Sequence, residues 1–155
     1  MRDVMFDIHG EAQQLKFGQQ LATCVDDKAC IIFLQGELGA GKTTLVRGFL
    51  SAMGYAGKVK SPTYTLVETY DCPPMTVVHM DLYRLKDPHE IEHLNLRDYL
   101  DQKTIIVIEW PEKALAKLPS PDITCALSFH GENRQIKFTS HTTTGQNILE
   151  ALKKI

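Results

Sequence analysis

The chain of 155 residues has no apolar run near membrane length: the longest, residues 29–34 and 105–108, fall far short of the roughly 20 residues that cross a bilayer. Its N-terminal stretch, Met-Arg-Asp-Val-Met-Phe-Asp, is interrupted by acids, which argues against a secretory leader and for a cytoplasmic location. Cys24, Cys30, Cys72 and Cys125 form no C-x-x-C pair and no Cys/His cluster with zinc-like spacing, so reduced, mostly structural thiols are expected. Charge of one sign is also missing. With a formal net charge of −2 and a pI near 6.3, no overall basic field exists to draw in nucleic acid, and strong direct binding to it is not expected. Repeats, low-complexity segments and linkers are lacking too, which leaves one α/β domain over residues 1–155 as the economical organisation.

What is present is concentrated in one stretch. Residues 36–43 read Gly-Glu-Leu-Gly-Ala-Gly-Lys-Thr, a full match to the phosphate-loop pattern G-x-x-x-x-G-K-[S/T]. A chance match in a chain this long is roughly a one-in-two-hundred event. The apolar residues 31–35 upstream have strand character, and residues 43–50 downstream have helical apolar spacing, which is the order the motif requires. The glycines let successive N–H groups converge on phosphate oxygens at the positive end of the following helix. Lys42 then reaches the β- and γ-phosphates, and the Thr43 hydroxyl ligates Mg²⁺.

Around this loop the pattern predicts a short strand at 4–8, and a helix over 11–25 with Ala12, Leu15, Ala22 and Val25 on its apolar face. The loop helix stops near Gly54. A β-prone run over 64–70, a Pro-Pro turn at 73–74 and a buried-type strand over 75–80 follow. A helical stretch starts at Pro88 and closes at Asn95; a second buried-type strand covers 104–108. Runs at 123–129 and 135–139 flank Gly131-Glu132-Asn133 as a hairpin, and a last helix covers 144–153. The fold class expected is a three-layer, phosphate-loop NTPase-like α/β fold: a mostly parallel sheet, helices on both faces, and a C-terminal antiparallel hairpin.

Two apolar strands end on an acid, Asp81 and Glu109, at the end of a parallel sheet where ligands bind. One carboxylate holds the metal while the other supports the metal or orients the nucleophile; Glu109, with the longer reach, is the choice for the metal-facing acid. Thr63, in Ser-Pro-Thr-Tyr, reads either as a plain turn or as a mobile hydroxyl that senses the γ-phosphate and Mg²⁺. Trp110, the single tryptophan, reads either as a core side chain or as one beside the nucleotide or a partner.

In ordered combination these segments resemble the TsaE family, small ATPases of bacterial threonylcarbamoyladenosine tRNA modification. The resemblance runs from residues 36–44 through Lys60-Ser-Pro-Thr-Tyr-Thr-Leu-Val-Glu68 and His79-Met-Asp-Leu-Tyr-Arg-Leu85 to Ile108-Glu-Trp-Pro-Glu-Lys113. It implies ATP and ADP binding with slow, Mg²⁺-dependent hydrolysis in support of TsaB and TsaD, of which TsaD performs the carbamoyl transfer. The nucleotide-binding set it implies is Glu37, Leu38, Gly39, Ala40, Gly41, Lys42, Thr43 and Thr44, with Trp110. Arg134, in the late hairpin, reads equally as a nucleotide contact or a surface arginine. Thr43, Glu109 and Asp81 are the implied metal set; Lys42, Asp81, Glu109 and Thr63 are the catalytic set. Asn95 stands where the family often has Gly, and asparagine is the next-best residue for a left-handed helix stop.

A GTPase needs a guanine-reading Asn-Lys-x-Asp, which the chain lacks. A small-molecule kinase shares the loop and the strand-end acids, but the five arginines are widely separated and form no phosphate-clamping lid. A nucleotide-binding module with vestigial hydrolysis conflicts with the full set of Lys42, Thr43, Asp81 and Glu109.

Overall fold

The computed structural model describes residues 2–101 and 103–155; positions 1 and 102, which the expected domain span includes, lie outside them. In chain order the elements are strand β1 (Arg2–Ile8), helix α1 (Gly10–Val25), β2 (Cys30–Gly36), α2 (Lys42–Ala52), β3 (Val67–Cys72), β4 (Met75–Asp81), β5 (Thr104–Glu109), β6 (Ile123–His130), β7 (Asn133–Ser140) and α3 (Thr143–Leu152). The strands form one sheet in the order β1-β7-β6-β2-β5-β4-β3. Its centre, β6-β2-β5-β4, is parallel, and antiparallel partners flank it on both sides.

The strand pattern follows burial. Central strands covered on both faces are continuously apolar: Val77, Val78, Met80, Ile105, Ile106 and Ile108 are almost wholly inaccessible. The edge strand β1 alternates instead, with Val4, Phe6 and Ile8 against the helices and Met5 exposed. All four cysteines are buried and free, as their spacing predicts. Burial raises each thiol above its usual range, and Cys30 is pushed up to about 12, with Asp122 adding to the effect.

The two faces of the sheet are covered differently. One carries α1, α2 and α3 over the larger core. The other is closed by short 3₁₀ turns, Pro88–Leu94, Leu96–Tyr99, Pro111–Lys113 and Leu115–Lys117, over a second core containing Ile91, Leu96 and Ala114. The stretch from Pro88 is therefore 3₁₀ rather than α. Ile91 and Leu94 both pack on the second core, and their spacing of three matches a three-residue turn. Asp87 caps it by accepting from the His89 N–H at 3.0 Å, and Asn95 ends it at φ 52°.

Two expected boundaries move. The run predicted as strand from 64 begins pairing only at Val67, because Leu66 turns at φ 68° and its N–H closes on the Pro62 carbonyl at 2.8 Å. On α1, Ala12 is exposed and Leu15 half-buried, while the buried face runs through Gln14, Phe17, Gly18, Leu21, Ala22 and Val25. Apolar periodicity therefore finds this face at Ala22 and Val25 but misplaces its first turns, where a glutamine and a glycine are buried.

That glycine has a partner. A Cβ on Gly18 would run into the Leu45 carbonyl of α2, and one on Gly48 into the Leu15 carbonyl of α1, so the two helices cross at backbone contact. Overpacking of this kind costs about 1–3 kcal/mol, more than the roughly 1 kcal/mol that alanine gains over glycine inside a helix. Gly48→Ala is therefore expected to lower the melting temperature although alanine is the better helix former; a raised melting temperature would show that the helices part freely. Among the described residues, no helix is long and apolar enough to cross a membrane.

Candidate functional site

Strand β2 delivers the chain into the loop at Gly36, and α2 begins at Lys42. Between them Gly41 stands at φ 95°, a conformation closed to most side chains, at the N-cap of α2, where the first N–H groups of a helix have no partner within it. Lys42 is only 5% exposed. Its ammonium donates to the Gly36 carbonyl and lies over the Trp110 ring, 3.9 Å from the centroid. Burial lowers the Lys42 pKa, against the opposing pull of Glu109, Asp81 and Glu112.

The sheet order explains why two strand-end acids meet this lysine. β5 lies directly beside β2, and β4 beside β5, so that Leu34, Glu109 and Asp81 fall in register across three adjacent strands. Both carboxylates are buried, at 5% exposure for Asp81 and 3% for Glu109. Asp81 accepts from the Tyr83 N–H at 3.0 Å and from the Thr63 hydroxyl at 3.2 Å. Burial is the main reason its pKa is raised, and the Glu109 carboxylate adds to it; the Tyr83 N–H, Thr63 and His79 oppose. Glu109 pairs with His79 at 2.5 Å, Nε2 to Oε2, while His79 Nδ1 is buried without a partner.

These groups share a cavity of about 580 Å³. Leu38, Gly39, Gly41, Lys42, Thr43 and Thr44 line its loop side, Thr63 and Ser61 one wall, and Asp81, Glu109 and Trp110 the other. Of the sequence-predicted residues, Glu37 and Ala40 do not line it; Ala40 is buried beneath the loop. Nor does Arg134: its guanidinium stacks on Phe129 at 4.2 Å and reaches the Gly39 carbonyl at 3.5 Å, on the loop rather than in the cavity. Trp110, at φ 58°, packs against both the Tyr83 ring and Lys42. Thr63 sits between Ser61, at 2.7 Å, and Asp81.

Several residues at the site have no role in the sequence reading. His79, Tyr83 and Arg84 lie inside a motif segment without being singled out there. His79 is legible in principle, since a polar residue within a buried strand needs a partner, and it shares a face with Asp81 two positions on. Arg84 lines the cavity and holds its guanidinium 4.4 Å above the ring of Tyr64, which is 81% exposed.

The donor set fits Mg²⁺ and a polyphosphate. Among the described residues, no three or more His, Cys, Asp or Glu side chains gather into a metal cage. Two carboxylates and a hydroxyl at the mouth of an amide-lined loop are what Mg²⁺ uses when phosphate oxygens and water complete its shell. Two buried carboxylates in register on adjacent strands, Asp81 and Glu109, also make a place that favours a cation.

The family model for threonylcarbamoyl adenosine biosynthesis protein TsaE matches residues 8–137. The chain belongs to the TsaE family. The tRNA threonylcarbamoyladenosine biosynthesis protein TsaE of Haemophilus influenzae is 43% identical over 148 residues, 93% of this chain and 94% of that one. The protein of the same name from Bacillus subtilis is 32% identical over 125 residues, 80% of this chain and 78% of its own. The fold is also that of the crystal structure of Bacillus subtilis YdiB, with a TM-score of 0.80 at 22% identity over 99% of this chain and 95% of that one. In this TsaE chain the loop, the residues 61–68 segment and both acids all lie within the matched residues.

Proposed function

We propose that this chain is a cytoplasmic ATPase of tRNA threonylcarbamoyladenosine formation, binding ATP or ADP with Mg²⁺ in the 580 Å³ cavity and acting through TsaB and TsaD. The observation that carries the reading is the register that sets Asp81 opposite Glu109, one strand from the phosphate loop. The family and the names of its relatives supply the pathway.

On this reading the loop amides and Lys42 hold the phosphates, and Thr43 and Glu109 hold the metal. A Mg²⁺ ion held there would supply positive charge to offset that of the phosphates. Asp81 orients the attacking water or supports the metal ligands. His79 fixes the Glu109 carboxylate from behind. Thr63, already bonded to Asp81, lets the 61–65 segment respond to what occupies the site. Arg84 lines the cavity but lies against Tyr64, which leaves the transition state without a committed arginine and supports a slow intrinsic rate.

The purified chain is expected to bind Mg-ADP with a change in Trp110 fluorescence, and to hydrolyse ATP slowly until TsaB and TsaD are added. Rapid phosphorylation of a small metabolite by the isolated chain would establish a kinase instead. A rate indifferent to TsaB and TsaD would remove the partner half of the proposal.

A further inference from the structure

Helix α1 is outside the phosphate-loop motif, yet one of its side chains grips the loop. Gln14 is 3% exposed, and its amide nitrogen donates to the Ala40 carbonyl at 2.9 Å and the Gly41 carbonyl at 2.8 Å. Both partners are acceptors only, so the nitrogen end of the amide must face them. Those carbonyls belong to the peptide units that also carry the Gly41 and Lys42 N–H groups. In a trans peptide the C=O and N–H point in opposite directions. Holding the Ala40 oxygen toward α1 therefore turns the Gly41 N–H away from it. The Gly41 oxygen, which also accepts from the Leu45 N–H of α2 at 3.0 Å, is gripped from both helices, and Gly41 and Lys42 both line the cavity.

We infer that Gln14 is the positioning residue that keeps the phosphate loop in its amide-inward conformation, an inference that rests on the nucleotide reading above. Two features give it reach. The glycine crossing brings α1 against α2 at backbone distance, and Gln14 lies one turn before Gly18 on the same face. Gly41 leaves room as well, since a Cβ there would collide with the Gln14 amide. Preset amides bind without reorganising the loop, so what Gln14 supplies appears as affinity for the phosphates and not for the base.

Calorimetry with Mg-ADP and with inorganic pyrophosphate on wild type, Gln14→Met and Gln14→Glu tests this. Met keeps the bulk without the donors, and Glu aims a carboxylate at two carbonyls. Both ligands are expected to bind Gln14→Met about 10- to 100-fold more weakly, and Gln14→Glu more weakly still. Unchanged affinity in the folded variants, or a loss for ADP that pyrophosphate does not share, overturns the inference while leaving the nucleotide reading intact. Failure of the wild type to bind Mg-ADP overturns both. If Gln14→Glu, with a carboxylate buried against two carbonyls, melts too low to titrate, Gln14→Met, apolar and of similar bulk, carries the comparison.

Discussion

Glu109→Gln is expected to reduce ATP hydrolysis by about 10²- to 10⁴-fold while changing the affinity for Mg-ADP only a few-fold. The amide keeps an acceptor for the buried His79 ring but loses the charge opposite Asp81, so the chemistry is removed with little disturbance of the core. Glu109→Ala is expected to abolish hydrolysis too, and to lower the melting temperature, because it strands His79, whose second nitrogen already lacks a partner. An unpartnered buried polar group costs about 1–3 kcal/mol. Affinity should still survive, since the loop amides and Lys42 remain. Loss of ADP binding as deep as that caused by removing Lys42 would move Glu109 from hydrolysis to nucleotide holding.

Lys42→Ala should show the converse, a fall in Mg-ADP and Mg-ATP affinity of about 100-fold or more, since the buried cation proposed to hold the phosphates is lost. The change also removes the cation that faces both Asp81 and Glu109. The remaining acids then repel each other and the incoming phosphates. Titration followed by Trp110 fluorescence would read the loss directly, because the indole lies against the Lys42 ammonium. Near-normal affinity in this variant would contradict the assignment of the loop as the phosphate site.

Local patterns foretell the parts of this molecule whose chemistry is local. The loop pattern, the two buried strands ending on Asp81 and Glu109, and the stop at Asn95 follow from residue type and spacing, the left-handed form of that stop from the family resemblance, and the structure has each of these elements. The register of Asp81 against Glu109 does not follow from spacing, because it depends on β5 lying between β2 and β4. That His79 needs a partner is legible, but which partner it and Arg84 find is hidden for a similar reason: Glu109 and Tyr64 are 30 and 20 residues away. Gln14 is the hardest to see. A polar residue on a helix face scores as solvent-exposed, and only the close approach of α1 to α2 at Gly18 and Gly48 makes it a buried hand on the loop.

The unequal covering of the sheet divides the site between two supports. The phosphate loop, through Ala40 and Leu45, rests on the three-helix core, as does the face of β4 and β5 that carries Asp81 and Glu109 beyond Val77, Ile105 and Val107; Leu66, next to the 61–65 segment, and Leu82, Ile108 and Trp110 rest on the core closed by 3₁₀ turns. Short turns with few buried anchors open at lower free energy than packed helices. Substitutions are therefore expected to sort into two classes by which face of the sheet they weaken. On the nucleotide reading, lesions under the helices should weaken nucleotide affinity and lesions under the turns should spare it, so that a partner pressing on the turn side would act without competing for the nucleotide.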